Sequence, residues 1–128
     1  MHRRRPEDAI QRALFAHIKA RGAKGLVAIH VPNGGFRRPV EAKILAGLGV
    51  TKGVPDVLLW HAGKSFALEL KAEGNKATDS QIAMLDRLGE AGVATAVCHG
   101  IDQAVTCLES WRLLRGKCSD RAATLACP

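Results

Sequence analysis

No stretch of the chain is apolar over a length that approaches a bilayer span, so the sequence holds no candidate membrane helix. The apolar core of a secretory signal is missing too. The basic opening Met1-His2-Arg3-Arg4-Arg5 leads straight into a segment broken by Gln11, Arg12 and Lys19, and a cytoplasmic protein is expected. Cys98, Cys107, Cys118 and Cys127 include no C-x-x-C pair, which argues against a zinc site and against the disulfide framework of a small secreted domain. No internal repeat or low-complexity tract is visible. Acidic residues are scarce: 12 Asp and Glu face 19 Lys and Arg, a net charge of +7. The basic residues cluster at Arg3-Arg4-Arg5, at Arg37-Arg38 and from Arg112 to Arg121. An anionic polymer is the natural partner of such a surface, although charge that serves only solubility is the plainer account.

What is present suits one folded domain. A chain of 128 residues is long enough for one real core and too short for two, and 47% apolar with 24% charged residues is globular composition. The domain is expected over residues 6–115, with 116–128 as a loose tail.

The stretch from Gly53 to Lys71 carries the most information. Val57-Leu58-Leu59-Trp60 and Ser65-Phe66-Ala67-Leu68-Glu69-Leu70 read as strands, and His61-Ala62-Gly63-Lys64 between them has hairpin-loop length. Antiparallel pairing about that turn sets Asp56 across from Glu69, Leu70 or Lys71. The strand period of two puts Phe66, Leu68 and Leu70 on one face and Ala67, Glu69 and Lys71 on the other, Glu69 and Lys71 being roughly 7 Å apart. Two carboxylates and an ammonium then meet in an apolar hairpin. Adjacent carboxylates repel, and a divalent cation such as Mg²⁺ or Mn²⁺ resolves the conflict, with Lys71 placed to act on an attacking water. The same residues taken alone also fit an exposed strand face with an ordinary Glu–Lys pair.

Other segments extend this pattern. Pro6 and Glu7 open a helix expected to reach about Ala20, with Gly22 as its stop and Ile10, Leu14 and Ile18 as its buried stripe. Glu7 lies on that stripe and points inward, or else only complements the helix dipole. Leu26 to Val31 reads as a strand ending in the turn Pro32-Asn33-Gly34-Gly35. Exposed amides at Asn33, Gly34 and Gly35, with Arg37, Arg38 and Lys52 nearby in sequence, suit a phosphate backbone. A short helix is expected from Val40 to Leu48. Thr78-Asp79-Ser80-Gln81 reads as a capping box at the start of a helix reaching Glu90, with Ile82, Leu85 and Leu88 or Gly89 as its apolar stripe. A strand over Val93 to Cys98 and a helix from Ile101 to about Leu114 follow. The stripe of that helix, Ile101, Val105, Leu108 and Trp111, is longer than a small core needs, so it or the first helix is a candidate dimer interface, although a stripe wholly consumed by the subunit's own core is an equally physical account.

In this order the pieces resemble the virus-type replication-repair nuclease (VRR-NUC) family of the PD-(D/E)xK superfamily. The resemblance rests on Glu7 in a first helix, Pro32 to Gly35, Gly-Val-Pro-Asp at Gly53 to Asp56, Glu-Leu-Lys at Glu69 to Lys71, and Gln81, and it spans about residues 6 to 114. It implies an α/β fold with a mixed central sheet flanked by helices. It further implies that Glu7, Asp56, Glu69 and the carbonyl of Leu70 hold Mg²⁺, or Mn²⁺ in its place, that Lys71 handles the water, and that Gln81 supports the site. The implied reaction is hydrolysis of DNA phosphodiester bonds leaving a 5′-phosphate. A stand-alone chain suggests the phage or bacterial type that acts on branched DNA or Holliday junctions, and a homodimer would give such an enzyme two sites. A restriction-type or archaeal-resolvase-like nuclease of the same superfamily, and a non-catalytic nucleic-acid-binding module, are the alternatives.

Overall fold

The computed structural model describes residues 6–32 and 38–116. The first helix, α1 (Pro6–Arg21), begins on a proline, which needs no amide partner there. Its first turn carries Glu7 and Asp8 and its last Lys19 and Arg21, so each end matches the helix dipole. Strand β1 (Val27–His30) leads, through residues that lie partly outside the described set, to α2 (Pro39–Gly47). Strands β2 (Val57–His61) and β3 (Lys64–Lys71) form the expected hairpin, and α3 (Asp79–Glu90), β4 (Ala94–His99) and α4 (Gly100–Ser110) complete the chain.

The hairpin is tighter than the sequence suggests, because His61 and Lys64 are themselves paired and only Ala62 and Gly63 turn. Both have positive φ, at 51° and 79°. Two successive left-handed residues are what a two-residue turn of matching twist requires.

The sheet order is β1-β2-β3-β4, antiparallel through β3 and parallel between β3 and β4, where α3 makes the crossover. Alternation along β3 sorts its side chains as expected. Phe66, Leu68 and Leu70 join Val57, Leu59, Leu14, Val105 and Leu108 in one buried cluster against α1 and α4. Each fully buried leucine of that cluster contributes about 1.5–3 kcal/mol. On the opposite face of β3, Glu69 meets Gln81 of α3, a helix that packs chiefly on β4.

Three expectations need correction. The last helix stops at Ser110 rather than near Leu114, because Arg112 takes a positive φ of 64° and turns the chain so that Leu113 and Leu114 enter the core. The Arg21 guanidinium holds this return segment, donating to the carbonyls of Arg115 and Gly116 at 2.8 and 2.9 Å and to Glu109 Oε2 at 2.7 Å. Second, the α4 stripe is consumed inside the subunit: Val105 and Leu108 are buried, and Trp111 packs on Phe66 at 5.1 Å between ring centroids. Leu14 of α1 is equally buried, so neither helix offers its stripe to a second copy. Third, Ile82 is exposed, and the inward side of α3 is led by Gln81 with Met84, Leu85 and Leu88. Of the expected tail, residues 117–128 lie outside the described residues.

Gly53 fixes the segment before β2 against α3. Its φ is 81°, and a Cβ there would collide with the Ser80 carbonyl oxygen and stand 3.0 Å from the Gln81 amide. A left-handed L-residue costs roughly 1–2 kcal/mol before any collision. Gly53→Ala should therefore lower the urea midpoint by the equivalent of about 2 kcal/mol or more. An unchanged midpoint would show that this packing is soft.

Candidate active site

Asp56 precedes β2 and is held from two sides. Its carbonyl accepts from Val31 N at 2.8 Å, and His30 Nδ1 lies 2.9 Å from the same oxygen. A carbonyl only accepts, so Nδ1 carries the proton. Across the hairpin, Asp56 Oδ2 accepts from Leu70 N at 2.9 Å. The pairing of Val57 with Leu68 carries this register one step on, to Asp56 beside Glu69.

Glu69 is 2% exposed, the one buried charged residue among those described. Its Oε2 accepts from Gln81 Nε2 at 2.9 Å and lies 3.7 Å from Lys71 Nζ. Its Oε1 is buried with no hydrogen-bond partner among the described residues. Burial and the neighbouring Asp56 charge push the Glu69 carboxyl up to about 8, and the Lys71 ammonium offsets only part of that. A buried oxygen without a donor beside a second carboxylate is costly in a protein standing alone. It is a normal condition for a pair of carboxylates that share a cation.

Gln81 has two jobs. Its Oε1 accepts from Thr78 N at 2.8 Å while Thr78 Oγ1 accepts from Gln81 N at 3.3 Å, which closes the expected capping box. The amide nitrogen is thereby aimed at Glu69, so the helix cap orients the donor.

Glu7 points inward from α1, and its Oε2 accepts from Ala72 N at 3.2 Å and Asn75 Nδ2 at 3.1 Å. Burial alone would raise its carboxyl, but the Ala72 and Asn75 hydrogen bonds and the Lys71 charge outweigh it and leave the group below its usual value. The structure thus brings together Asp56, Glu69, Leu70, Lys71 and Gln81, with Glu7 bonded just past Lys71. Among the described residues no group of three or more His, Cys, Asp or Glu side chains gathers around one point. The close pair is Asp56 and Glu69, and the hydrogen bonds to the Ala72–Asn75 segment keep Glu7 at the border.

Of the residues expected to meet nucleic acid, Asn33, Gly34, Gly35 and Arg37 lie outside the described residues. Arg38 is exposed and pairs with Glu41 at 2.7 Å. Such a surface pair is worth about 0–1 kcal/mol and yields readily to a phosphate. Lys52 borders a cleft of about 320 Å³ that Thr78, Ser80 and Gln81 also line, which places it next to the carboxylate pair's supporting helix. Sequence reasoning missed His30, Asn75 and His99. His99 Nε2 lies 2.9 Å from the Asn75 carbonyl, and the parallel register sets His99 beside Lys71. Only the strand order could have signalled it.

Three comparisons bear on this geometry. The family model of the VRR-NUC domain matches residues 6–102. A solved structure described as a VRR_NUC domain protein is 25% identical, covers 88% of this chain and 93% of its own, and superposes with a TM-score of 0.72. A second, described as a VRR_NUC domain, is 19% identical with a TM-score of 0.57, covers 82% of this chain and 96% of its own, and is similar in fold. No curated protein matches. The sheet, the flanking helices and the matched span agree: the chain belongs to the VRR-NUC family, nucleases of the PD-(D/E)xK superfamily.

Proposed function

We propose that this nuclease is a Mg²⁺-dependent DNA endonuclease, able to use Mn²⁺, that acts on branched DNA such as Holliday junctions. The observation that carries the metal reading is Glu69 Oε1, buried, without a donor, and beside Asp56. Hard oxygen ligands of this kind suit Mg²⁺ and Mn²⁺. Asp56, Glu69 and the Leu70 carbonyl would hold the ion, with Glu7 completing the set from α1. When bound, the ion supplies Lewis-acid stabilisation of the phosphoryl oxygens and a more acidic water.

The chain's own groups do the rest. Lys71 orients the attacking water and offsets the charge that develops on the phosphoryl oxygens. Gln81 holds Glu69 in the rotamer that faces Asp56. A P–O bond forms to water as the P–O3′ bond breaks, leaving a 5′-phosphate. Arg38 and Lys52, with Asn33, Gly34, Gly35 and Arg37, carry the DNA backbone, so salt should weaken binding steeply.

The described residues of each chain form one such site, and resolving a four-way junction takes two symmetric cuts, so the working unit is a homodimer. Among the described residues, Val40 and Ile44 of α2 and Leu48 just past its end are large apolar side chains left exposed, as are Val27, Ile29 and Trp60 on the sheet, and these surfaces are open to a second copy. We read the protein as an enzyme of the phage or bacterial type.

A panel of labelled four-way junctions, flaps, splayed arms and plain duplex, incubated with Mg²⁺ and with Mn²⁺, tests the substrate. Paired cuts in the junction are expected, from a species whose scattering mass is twice 13.7 kDa. Cutting of plain duplex at one sequence would replace the junction reading with a restriction-type one, and paired cutting by a monomer would remove the dimer.

A further inference from the structure

Next to the Asp56 backbone, across His30, lies a further concavity. Asp8, Gln11 and Arg12 of α1 line it together with His30 at the end of β1, and its volume is about 280 Å³. It is fastened to the active site at two points. His30 is tied through Nδ1 to the Asp56 carbonyl, 2.9 Å away. Gln11 follows Glu7 by four residues, so the two share one side of the helix. The cleft therefore cannot shift independently of Asp56 or Glu7.

We propose that this cleft binds a DNA backbone phosphate one or two nucleotides from the scissile one, with Arg12 and Gln11 as donors. The proposal rests on the nuclease reading and adds a subsite to it. One helical turn past Glu7 is about 5.4 Å along the axis. Successive phosphates of one strand are spaced about 3.4 Å along a duplex. A strand with its reacting phosphate at Asp56 and Glu69 and its path along α1 would present one of its next phosphates to Gln11 and Arg12. A guanidinium suits that task because it donates two bonds to one phosphate. Arg12 is exposed, and no hydrogen bond or ion pair ties it to another described residue. Asp8, the carboxylate of the lining, is engaged in an interaction of its own and tempers the site. Its negative charge opposes a phosphate, so removing it should tighten binding. His30 forms the wall that joins the cleft to the Asp56 backbone and is a positioning residue here.

The test pairs changes in the protein with changes in the DNA. A series of cleavable substrates, each with one neutral methylphosphonate at a defined position flanking the cut, is bound and cleaved by the parent protein, Arg12→Ala and Asp8→Asn. For the parent, neutralising one phosphate within two nucleotides of the cut should weaken binding and slow cleavage about tenfold. Arg12→Ala should lose sensitivity at that one position and lower the slope of log affinity against log salt by about 0.9. Asp8→Asn should bind the unmodified DNA more tightly. A methylphosphonate profile identical for parent and Arg12→Ala, or a loss spread evenly over all positions, would overturn the cleft as a phosphate site. If the parent cuts none of the substrates with either ion, the nuclease reading fails, and the binding arm still decides the cleft.

Discussion

Glu69→Gln should abolish cleavage and, without divalent ions, leave the protein more stable than its parent at pH 8 and above. The first half follows from losing a carboxylate beside Asp56, which leaves any bound cation short of a ligand. The second follows from linkage. The Glu69 carboxyl is raised from 4.5 to about 8 in the folded state. Folded protein therefore keeps a proton between those values that the unfolded chain has already released. Its contribution to stability is complete below about pH 4.5 and is lost as pH rises through 8. A neutral glutamine escapes that loss, and it keeps an oxygen for Gln81 Nε2. Urea midpoints from pH 5 to 9 read this directly: the parent should decline with pH more steeply than the variant, and Mg²⁺ or Mn²⁺ should restore the parent alone. Asp56→Ala is expected to match it in lost cleavage and lost Mn²⁺ binding by calorimetry. Normal cleavage by either variant, or parallel pH curves, would remove Glu69 and Asp56 from the centre of the site.

Lys71→Ala should separate rate from metal affinity. An ammonium cannot ligate a cation, yet Lys71 is mostly buried at 3.7 Å from Glu69 Oε2, and in the proposed site it would stand where charge develops on a bound phosphoryl group. Cleavage should fall on the order of a hundredfold or more, as for loss of one preorganised electrostatic stabiliser. Mn²⁺ binding should survive, and should strengthen slightly as a nearby positive charge is removed. The chain should keep its fold, because Lys71 ends β3 and its side chain lies outside the apolar cluster. Joint loss of metal binding and cleavage would mean that Lys71 holds the site together rather than acting in the reaction.

These two side chains were legible before any coordinates because hairpin geometry is local. Alternation and a turn of known length place Asp56, Glu69 and Lys71 from their spacing alone. Gln81 was legible as a cap, but its second bond to Glu69 depends on how α3 lies under the sheet, which spacing does not set. The same holds for Ile82, read as buried and found exposed because Gln81 heads the inward face of α3. The α4 stripe fits either a dimer interface or the subunit's own core for a related reason. The return of Leu113 and Leu114 into the core depends on Arg112 adopting a left-handed conformation, which its residue type does not announce. His99 reaches the site only through the parallel pairing of β3 with β4, and partner choice between distant strands leaves no mark in either segment. Asn75 reaches it from the loop after β3 by its bond to Glu7 of α1, a packing that spacing does not set.

The hairpin's short reach also bears on how such an enzyme can diversify. Asp56 and Leu70 are 14 residues apart and joined by a two-residue turn, whereas Glu7 reaches Ala72 across 65 residues. Chain added in the surface connections before Gly53 or after Lys71, away from the Val31, His30 and Gln81 contacts that hold Asp56 and Glu69, leaves the pairing of the two carboxylates across the hairpin untouched, and lengthening a surface connection costs little closure entropy. Those connections are accordingly free to be lengthened, and recognition of new nucleic-acid shapes can be built there without rebuilding the carboxylate pair.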